Sequence, residues 1–268
     1  MANLYRSAPS PHRTTVPLLV LAISLACSVA QVAAAAEAAA PADAAPALDP
    51  KVLATLKTMG EHLRELKSFD VHADTTIDEV GDDGQKLQFG GTVEYKVRRP
   101  DRMRAEINSD RQHRTFYYDG KKLTQYSPRM GYYATVDAPP TLHELADVLK
   151  TKFDISLPLS DLFRWGMDTD DGSGLTEASF VGPATINNVD CGHFAFRQPD
   201  VDWQLWLARD TYLPCKLVIT TTDEPTQPQY VALFTWHTNV KLDDKTFTFE
   251  QPKNARKIEI AVVDAAGH

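Results

Sequence analysis

The first folded pattern in the chain is a helical spacing of apolar residues that starts near residue 50. Asp49-Pro50 is typical of a helix N-terminus, because aspartate caps the first turn and proline suits the first helical position. The apolar residues that follow recur every three or four positions, which predicts an amphipathic helix that ends near Lys67. Its predicted apolar face consists of Val52, Leu53, Leu56, Met59, Leu63 and Leu66.

From Ser68 onward the apolar residues alternate with polar ones, which is the pattern of half-buried β-strands. Asp83-Gly84 and Asp119-Gly120 are strong turn signals between such runs. Because short strands follow one another without intervening helices, the pattern predicts an antiparallel meander rather than βαβ units. The predicted strands are 68–77, 87–97, 103–107, 115–118, 122–126, 132–136, 184–189, 192–198, 202–208, 215–222, 230–238 and 246–250.

A helical insertion separates the two series of strands. It opens at Pro139-Pro140-Thr141, and a second short helix is predicted after Pro158. A sheet of about eleven strands curls and so acquires a concave face that must be covered. The insertion is the natural cover, and we call it the lid. The candidate lid residues are Leu142, Leu145, Leu149, Leu159, Leu162 and Phe163.

The predicted fold class is therefore mainly β (α+β), with a large curled antiparallel sheet, an N-terminal helix and a helical lid. An apolar sheet face beneath movable helices would form a pocket for an apolar ligand. Ordinary core packing is the alternative interpretation of the same aromatic residues. Trp203 and Trp206 are three positions apart and so cannot share one face of a regular strand. The candidate cavity-lining residues are Phe89, Tyr95, Met103, Phe116, Tyr118, Phe194, Phe196, Trp203 and Trp206.

The N-terminal 36 residues have the organisation of a secretory signal peptide. Arg6 and Arg13 precede an apolar run over residues 16–30, and small residues suited to signal peptidase follow. An uncleaved anchor is the alternative. Residues 37–48 form an Ala/Pro-rich leader that we predict to be disordered, because it has few large apolar groups to pack. A single folded domain is predicted over residues 49–260, followed by a flexible tail at 261–268.

The charge of the chain argues against several classes of partner. The predicted signal peptide contains two arginines and no acidic residue, so its removal shifts the net charge from −8 to −10. A chain this acidic is a poor ligand for nucleic acid or for an anionic membrane surface. No second apolar run is long enough to span a bilayer, so no transmembrane segment is predicted after signal cleavage. We expect a monomer.

Export leaves two cysteines, Cys191 and Cys215, each beside a predicted strand. Exported proteins retain disulfides, so a bridge between these two residues is predicted. It would stabilise the fold by about 3–4 kcal/mol in the chain-entropy account. Two free thiols and a redox pair are the alternatives, and the absence of a C-x-x-C spacing argues against the second.

No motif for catalysis or metal binding stands out. There is no G-x-S-x-G, and Cys191-Gly192-His193 places a thiol and an imidazole too close along one strand for a typical catalytic dyad. Asp168, Asp170 and Asp171 lack the ligand spacing of a calcium loop. The sequence therefore predicts no catalytic residues, no metal and no cofactor. A hydrolase with an unrecognised site would need a buried acid–base pair in a cleft.

Arg98-Arg99-Pro100 interrupts two alternating runs and raises a separate question. The two arginines could belong to a surface turn, to a site for an anionic partner, or to a latch for another part of the protein. A guanidinium has five donors in a rigid fork and stays charged, so it can hold several carbonyl groups.

Short motifs in the first half of the chain resemble the LolA-like superfamily, which includes periplasmic carriers of outer-membrane lipoproteins. The motifs are Leu66-Lys67-Ser68-Phe69, Gly91, Lys96-Val97-Arg98-Arg99-Pro100 and Asp119-Gly120-Lys121, within residues 50–137. Nearly all of the mature chain is similar to a family of predicted periplasmic proteins with a domain of unknown function, placed in the same superfamily. That similarity rests on "YYDGKKLTQYSP", "GYYATVDAPPTL" and "DWQLWLARDTYLPCKLVIT".

The resemblance implies an unclosed antiparallel β-barrel, a helical lid over an apolar cavity and a periplasmic location. It implies a non-enzymatic protein that binds a lipid, an acyl chain or the lipid anchor of a lipoprotein. It further implies that Arg99 acts as a lid latch by donating hydrogen bonds to lid backbone. The alternative of a different class is an interaction or sensor module, in which the curled sheet recognises an extended segment of an envelope protein. The cysteine pair is not part of the LolA pattern.

Overall fold

The computed structural model describes residues 47–165 and 174–260. The predicted signal peptide, nearly all of the predicted leader and the predicted tail lie outside the described residues. The acidic loop with Asp168, Asp170 and Asp171 lies outside them as well.

The predicted N-terminal helix is present as α1, which runs from Pro50 to Glu65. The side chain of Asp49 accepts a hydrogen bond of 2.8 Å from the backbone nitrogen of Lys51, as expected of an N-cap. The helix ends at Leu66, whose backbone is extended. Val52, Met59 and Leu63 are buried on the face that packs against the sheet.

The described residues form one twelve-stranded sheet, in which the strands follow the order β12-β6-β5-β4-β3-β2-β1-β11-β10-β9-β8-β7. Two consecutive meanders, β1 to β6 and β7 to β11, therefore join where β1 pairs with β11. The strands are β1 (Ser68–Val80), β2 (Lys86–Arg98), β3 (Arg102–Ser109), β4 (His113–Tyr118), β5 (Lys122–Ser127), β6 (Tyr132–Asp137), β7 (Glu177–Ile186), β8 (Val189–Gln198), β9 (Val201–Ala208), β10 (Pro214–Thr221), β11 (Gln229–Thr238) and β12 (Arg256–Lys257).

The sheet is unclosed, since β12 and β7 are its two edges and do not pair with each other. All pairings are antiparallel except that of the two-residue β12 with β6, which is parallel. Ahead of α1, Leu48 forms an isolated parallel bridge with Ala178 of β7. The predicted fold, a curled and unclosed antiparallel sheet with an N-terminal helix, is confirmed.

Two predicted strands differ from the structure. The run at 246–250 alternates, but Asp243 caps Thr246 with a bond of 3.1 Å and starts a 3₁₀-helix over Asp244–Phe247. A side-chain cap thus satisfies backbone donors locally and competes with strand formation. In contrast, β7 begins at Glu177, earlier than predicted. A register shift between Phe180 and Gly182 interrupts the alternation, so the sequence pattern does not show the start of this strand.

The lid connects β6 to the region before β7. Its first helix, α2, runs from Leu142 to Phe153 and is capped by the hydroxyl of Thr141, which accepts from the backbone nitrogen of Glu144. The second predicted helix is a single 3₁₀ turn, Ser160–Phe163. Both pack on the same sheet face as α1 and share one apolar core with it.

Candidate functional site

Side chains of the described residues cover the concave face of the sheet. Alternate residues of the strands face inward, where they meet α1 and the lid in one core. Tyr95 and Tyr118 are fully buried although they are large. Seven candidate lining residues lie in this core: Tyr95, Met103, Phe116, Tyr118, Phe194, Phe196 and Trp203. All six candidate lid residues are buried against them: Leu142, Leu145, Leu149, Leu159, Leu162 and Phe163.

The two other candidate lining residues are misplaced by the sequence analysis. Trp206 pairs with Lys216 and His193 and lies on the convex face, where it stacks on the His193 ring at 4.0 Å. Phe89 lies far along the β1–β2 hairpin, is only partly buried, and is covered by the guanidinium of Arg111 at 4.0 Å. The prediction that Trp206 lines the cavity is wrong, because its odd spacing from Trp203 places the two side chains on opposite faces of the strand.

Two tyrosine hydroxyls attach the lid to the concave face. Tyr95 of β2 donates to the carbonyl oxygen of Pro158, and Tyr118 of β4 donates to that of Pro139, each at 2.5 Å. Burial raises the pKa of Tyr95 well above its usual value and that of Tyr118 to about 12, so both phenols remain donors at neutral pH. The sequence does not show these bonds, because their acceptors are main-chain carbonyls.

The lid has a further backbone attachment where α2 begins. The backbone nitrogen of Leu142 donates to the carbonyl oxygen of Pro100 at 3.3 Å. The ring of Phe163 meets that of Tyr95 edge-on, with centroids 5.2 Å apart. The lid also shares an apolar core with the sheet, so apolar packing accompanies these hydrogen bonds.

Arg99 lies at the β2–β3 turn, between α1 and the lid. Its Nη2 donates to the carbonyl oxygen of Leu63 in α1 at 3.3 Å, and its backbone nitrogen donates to that of Lys67 at 2.8 Å. Its Nε is buried and has no hydrogen-bond partner among the described residues. Burial lowers the pKa of Arg99, and the nearby charge of Arg64 lowers it further. The guanidinium thus holds α1, whereas the latch predicted from the resemblance would hold the lid.

A cleft of about 520 Å³ opens beside Arg99, between the C-terminus of α1 and the N-terminus of α2. Its walls combine three basic side chains with the apolar edge of the lid, and we call it the basic cleft. Its lining consists of Arg64, Lys67, Arg99, Pro100, Thr141, Leu142, His143 and Phe163. Lys67 and Arg99 also line a neighbouring cleft of about 600 Å³, together with Arg98, Lys241 and Asp243 among others.

The two cysteines face each other on the convex side of the sheet. Cys191 and Cys215 are buried, and their Sγ atoms are 2.7 Å apart. They belong to a small second apolar cluster with Trp206 and Val218. Both are thiols in the structure, so the disulfide remains a prediction. Burial raises the pKa of the Cys215 thiol, and its hydrogen bond with the Cys191 thiol raises this pKa further.

No cluster of three metal-ligating side chains occurs within residues 47–165 and 174–260. In the same part of the chain, no helix is both long and apolar enough to cross a membrane.

One family model matches more than half of the chain. It is described as "Predicted periplasmic protein (DUF2092)" and matches residues 53–261, so the chain belongs to this family. The predicted family and the predicted periplasmic localisation are confirmed by this match. No curated protein matches the sequence.

Several solved structures resemble the fold at low sequence identity. Lipoprotein LppX of Mycobacterium tuberculosis has 15% identity and a TM-score of 0.46, with 73% of this chain and 100% of that chain covered. A chain of the Pseudomonas aeruginosa MucA/MucB complex has 16% identity and a TM-score of 0.41, with 75% of this chain and 61% of that chain covered. A LolA superfamily protein of Nitrosomonas europaea has 11% identity and a TM-score of 0.33, with 74% of this chain and 97% of that chain covered. These values are too low for a shared function to follow from them.

Proposed function

We propose that this protein is a non-enzymatic periplasmic binding protein for an apolar ligand, which is a lipid, an acyl chain or the lipid anchor of a lipoprotein. The observation that carries the proposal is the interface between the lid and the sheet. Leu145, Leu149 and Phe163 of the lid lie in one buried core with Tyr95 and Phe116 of the sheet, so each of the two surfaces is apolar.

An acyl chain can replace the lid on this face at little cost in solvation. Opening the lid exposes apolar surface, and each buried CH₂ of an entering chain recovers about 0.8 kcal/mol. We propose two states, of which this structure would be the closed one, and a ligand that binds only the open state would shift the population towards it. Because the described lid residues bury the apolar face of the sheet, lid movement is a requirement of the proposal.

Native mass spectrometry of the mature protein, purified gently from a periplasm, tests the proposal. We expect an adduct with the mass of a lipid, which organic extraction removes, and renewed uptake when a fatty acid or phospholipid is added. The extracted protein without added lipid is the control. A ligand-free mass together with no uptake of either lipid would contradict the proposal.

Recognition of an envelope protein is the second candidate function, and it is favoured by the edge strand β7. Phe180 and Val181 are 51% and 56% exposed on this strand. Beyond Ala178, β7 pairs with no further described strand on its outer side. An extended segment of a partner could add to this edge by main-chain hydrogen bonds. Val181→Lys should then abolish partner capture and leave lipid uptake unchanged.

A further inference from the structure

The basic cleft contains positive charge that is not neutralised within the described residues. Arg64, Lys67 and Arg99 form no ion pair with any carboxylate there, although neighbouring Arg98 pairs with Asp244. None of the described residues that line the cleft is acidic. This is unusual in a chain with a net charge of −8, because acidic partners are abundant elsewhere on its surface.

The position of α1 does not by itself explain this cluster. The C-terminus of a helix attracts cations with roughly half of an elementary charge, which accounts for Arg64 in the last turn of α1 and for Lys67 just after the helix. Arg99, however, comes from the β2–β3 turn and brings a third cation beside Arg64. Three positive charges exceed the partial negative charge of one helix end, so the cleft has a surplus that suits an anion.

Two buried nitrogens in the cleft lining lack hydrogen-bond partners. They are Nε of Arg99 and Nδ1 of His143, neither of which meets a donor or acceptor among the described residues. Buried polar atoms are nearly always satisfied in native proteins. Nε of Arg99 is a charged donor, and a phosphate or carboxylate oxygen would be its strongest partner once lid movement makes the atom accessible.

The apolar side of the cleft belongs to the lid. Leu142 and Phe163 line the cleft and are also members of the buried core between the lid and the sheet. The cleft is therefore the place where solvent, the basic side chains and the edge of the closed interior meet. An amphiphile that enters under this edge would leave its polar end beside Arg64, Lys67 and Arg99.

We propose that the basic cleft binds the anionic headgroup, a phosphate or carboxylate, of an amphiphilic ligand whose apolar part enters beneath the lid. This inference rests on the proposed binding of an apolar ligand and specifies its class. It distinguishes anionic lipids from zwitterionic ones with the same acyl chain.

The test compares lysophosphatidylglycerol with lysophosphatidylcholine of the same acyl chain, each titrated as monomers into the mature protein by calorimetry. Glycerol phosphate is the third probe, because it carries the anion without the chain. The double variant R64Q/K67Q removes two exposed cations from the cleft. The control K51Q/K57Q removes two exposed cations from elsewhere on α1, so the net charge changes equally.

We expect the anionic lipid to bind about tenfold or more tightly than the zwitterionic one, since charge-assisted hydrogen bonds are strong. R64Q/K67Q should abolish this preference, and K51Q/K57Q should keep it. Equal binding of both lipids by the wild-type protein would overturn the headgroup inference and leave the proposed function intact. Glycerol phosphate binding that R64Q/K67Q abolishes, without uptake of either lipid, would support an anion site and refute lipid binding. No binding of any probe would overturn both.

Discussion

Tyr95 links the floor of the sheet to the lid, because its hydroxyl donates to the carbonyl oxygen of Pro158 at 2.5 Å. The residue is fully buried in the middle of β2, and Pro158 lies between the two lid helices. A hydrogen bond of this kind orients two apolar surfaces that would otherwise slide over one another. Its loss should alter the lid more than the sheet.

Tyr95→Phe should lower the free energy of unfolding by about 1–3 kcal/mol, because the carbonyl of Pro158 would be buried without a donor. The variant should also take up a fluorescent fatty acid faster than wild type, since one restraint on the lid is gone. Stopped-flow uptake and chemical denaturation measure the two effects. Tyr117→Phe is the matched control, because Tyr117 lies on the opposite face of β4 beside Phe249. Uptake rates that match wild type would refute the role of Tyr95 as a lid restraint.

Tyr118 should make the folded state sensitive to alkaline pH. Burial raises its pKa to about 12 in the folded protein, whereas an unfolded tyrosine titrates near 10. Between these values unfolding releases a proton, so stability decreases as pH rises and is fully present only below about pH 10. Denaturation curves recorded from pH 9 to 12 should show a shallower decline for Tyr118→Phe than for Tyr117→Phe. An identical decline in both variants would refute this assignment.

Trp203 and Trp206 should respond differently to a bound acyl chain. Trp203 stacks on Phe196 in the concave core, whereas Trp206 lies on the convex face beneath Lys216. A brominated fatty acid should therefore quench the fluorescence of wild-type protein, and the quenching should persist in Trp206→Phe. It should decrease in Trp203→Phe, because bromine quenches only at short range. If quenching decreases more in Trp206→Phe than in Trp203→Phe, the ligand lies on the convex face, which would contradict the proposal.

Arg99→Gln should release the end of α1, because Nη2 of Arg99 donates to the carbonyl oxygen of Leu63. Hydrogen exchange followed by mass spectrometry should become faster in residues 60–67 and change less in α2. Arg98→Gln is the control, since Arg98 instead contacts Leu242 and Asp244. Faster exchange in α2 with α1 unchanged would support the latch to lid backbone that the LolA-like resemblance implies.

Cys191 and Cys215 should be oxidised to a disulfide in protein from the periplasm. Their side chains already face each other in a buried cluster. Intact mass before and after reduction gives the redox state directly. The bridge should stabilise the fold by about 3–4 kcal/mol. Reduction should therefore lower the melting temperature of wild type and leave that of C191A/C215A unchanged. If denatured protein that has not been reduced contains two thiols that can be alkylated, the predicted bridge is contradicted.

Local patterns along the chain predicted most of the secondary structure and the class of fold. The alternation of apolar and polar residues predicted most of the strands. The Asp49 and Thr141 caps indicated where α1 and α2 begin, and the insertion between the two meanders indicated a lid. These are local signals, since a hydrophobic period and a cap depend on neighbours along the chain. The short motifs also indicated the family correctly.

Which face of each strand is concave, and which residues the lid contacts, follow from the packing of the elements and not from local patterns. The odd spacing of Trp203 and Trp206 showed that they lie on opposite faces, but not which one faces inward. The tyrosine bonds and the basic cleft join residues that are distant in sequence, and several of their partners are backbone carbonyls without a sequence signal. Such contacts depend on how α1 and the lid fold back over the concave face, and no local period specifies that packing.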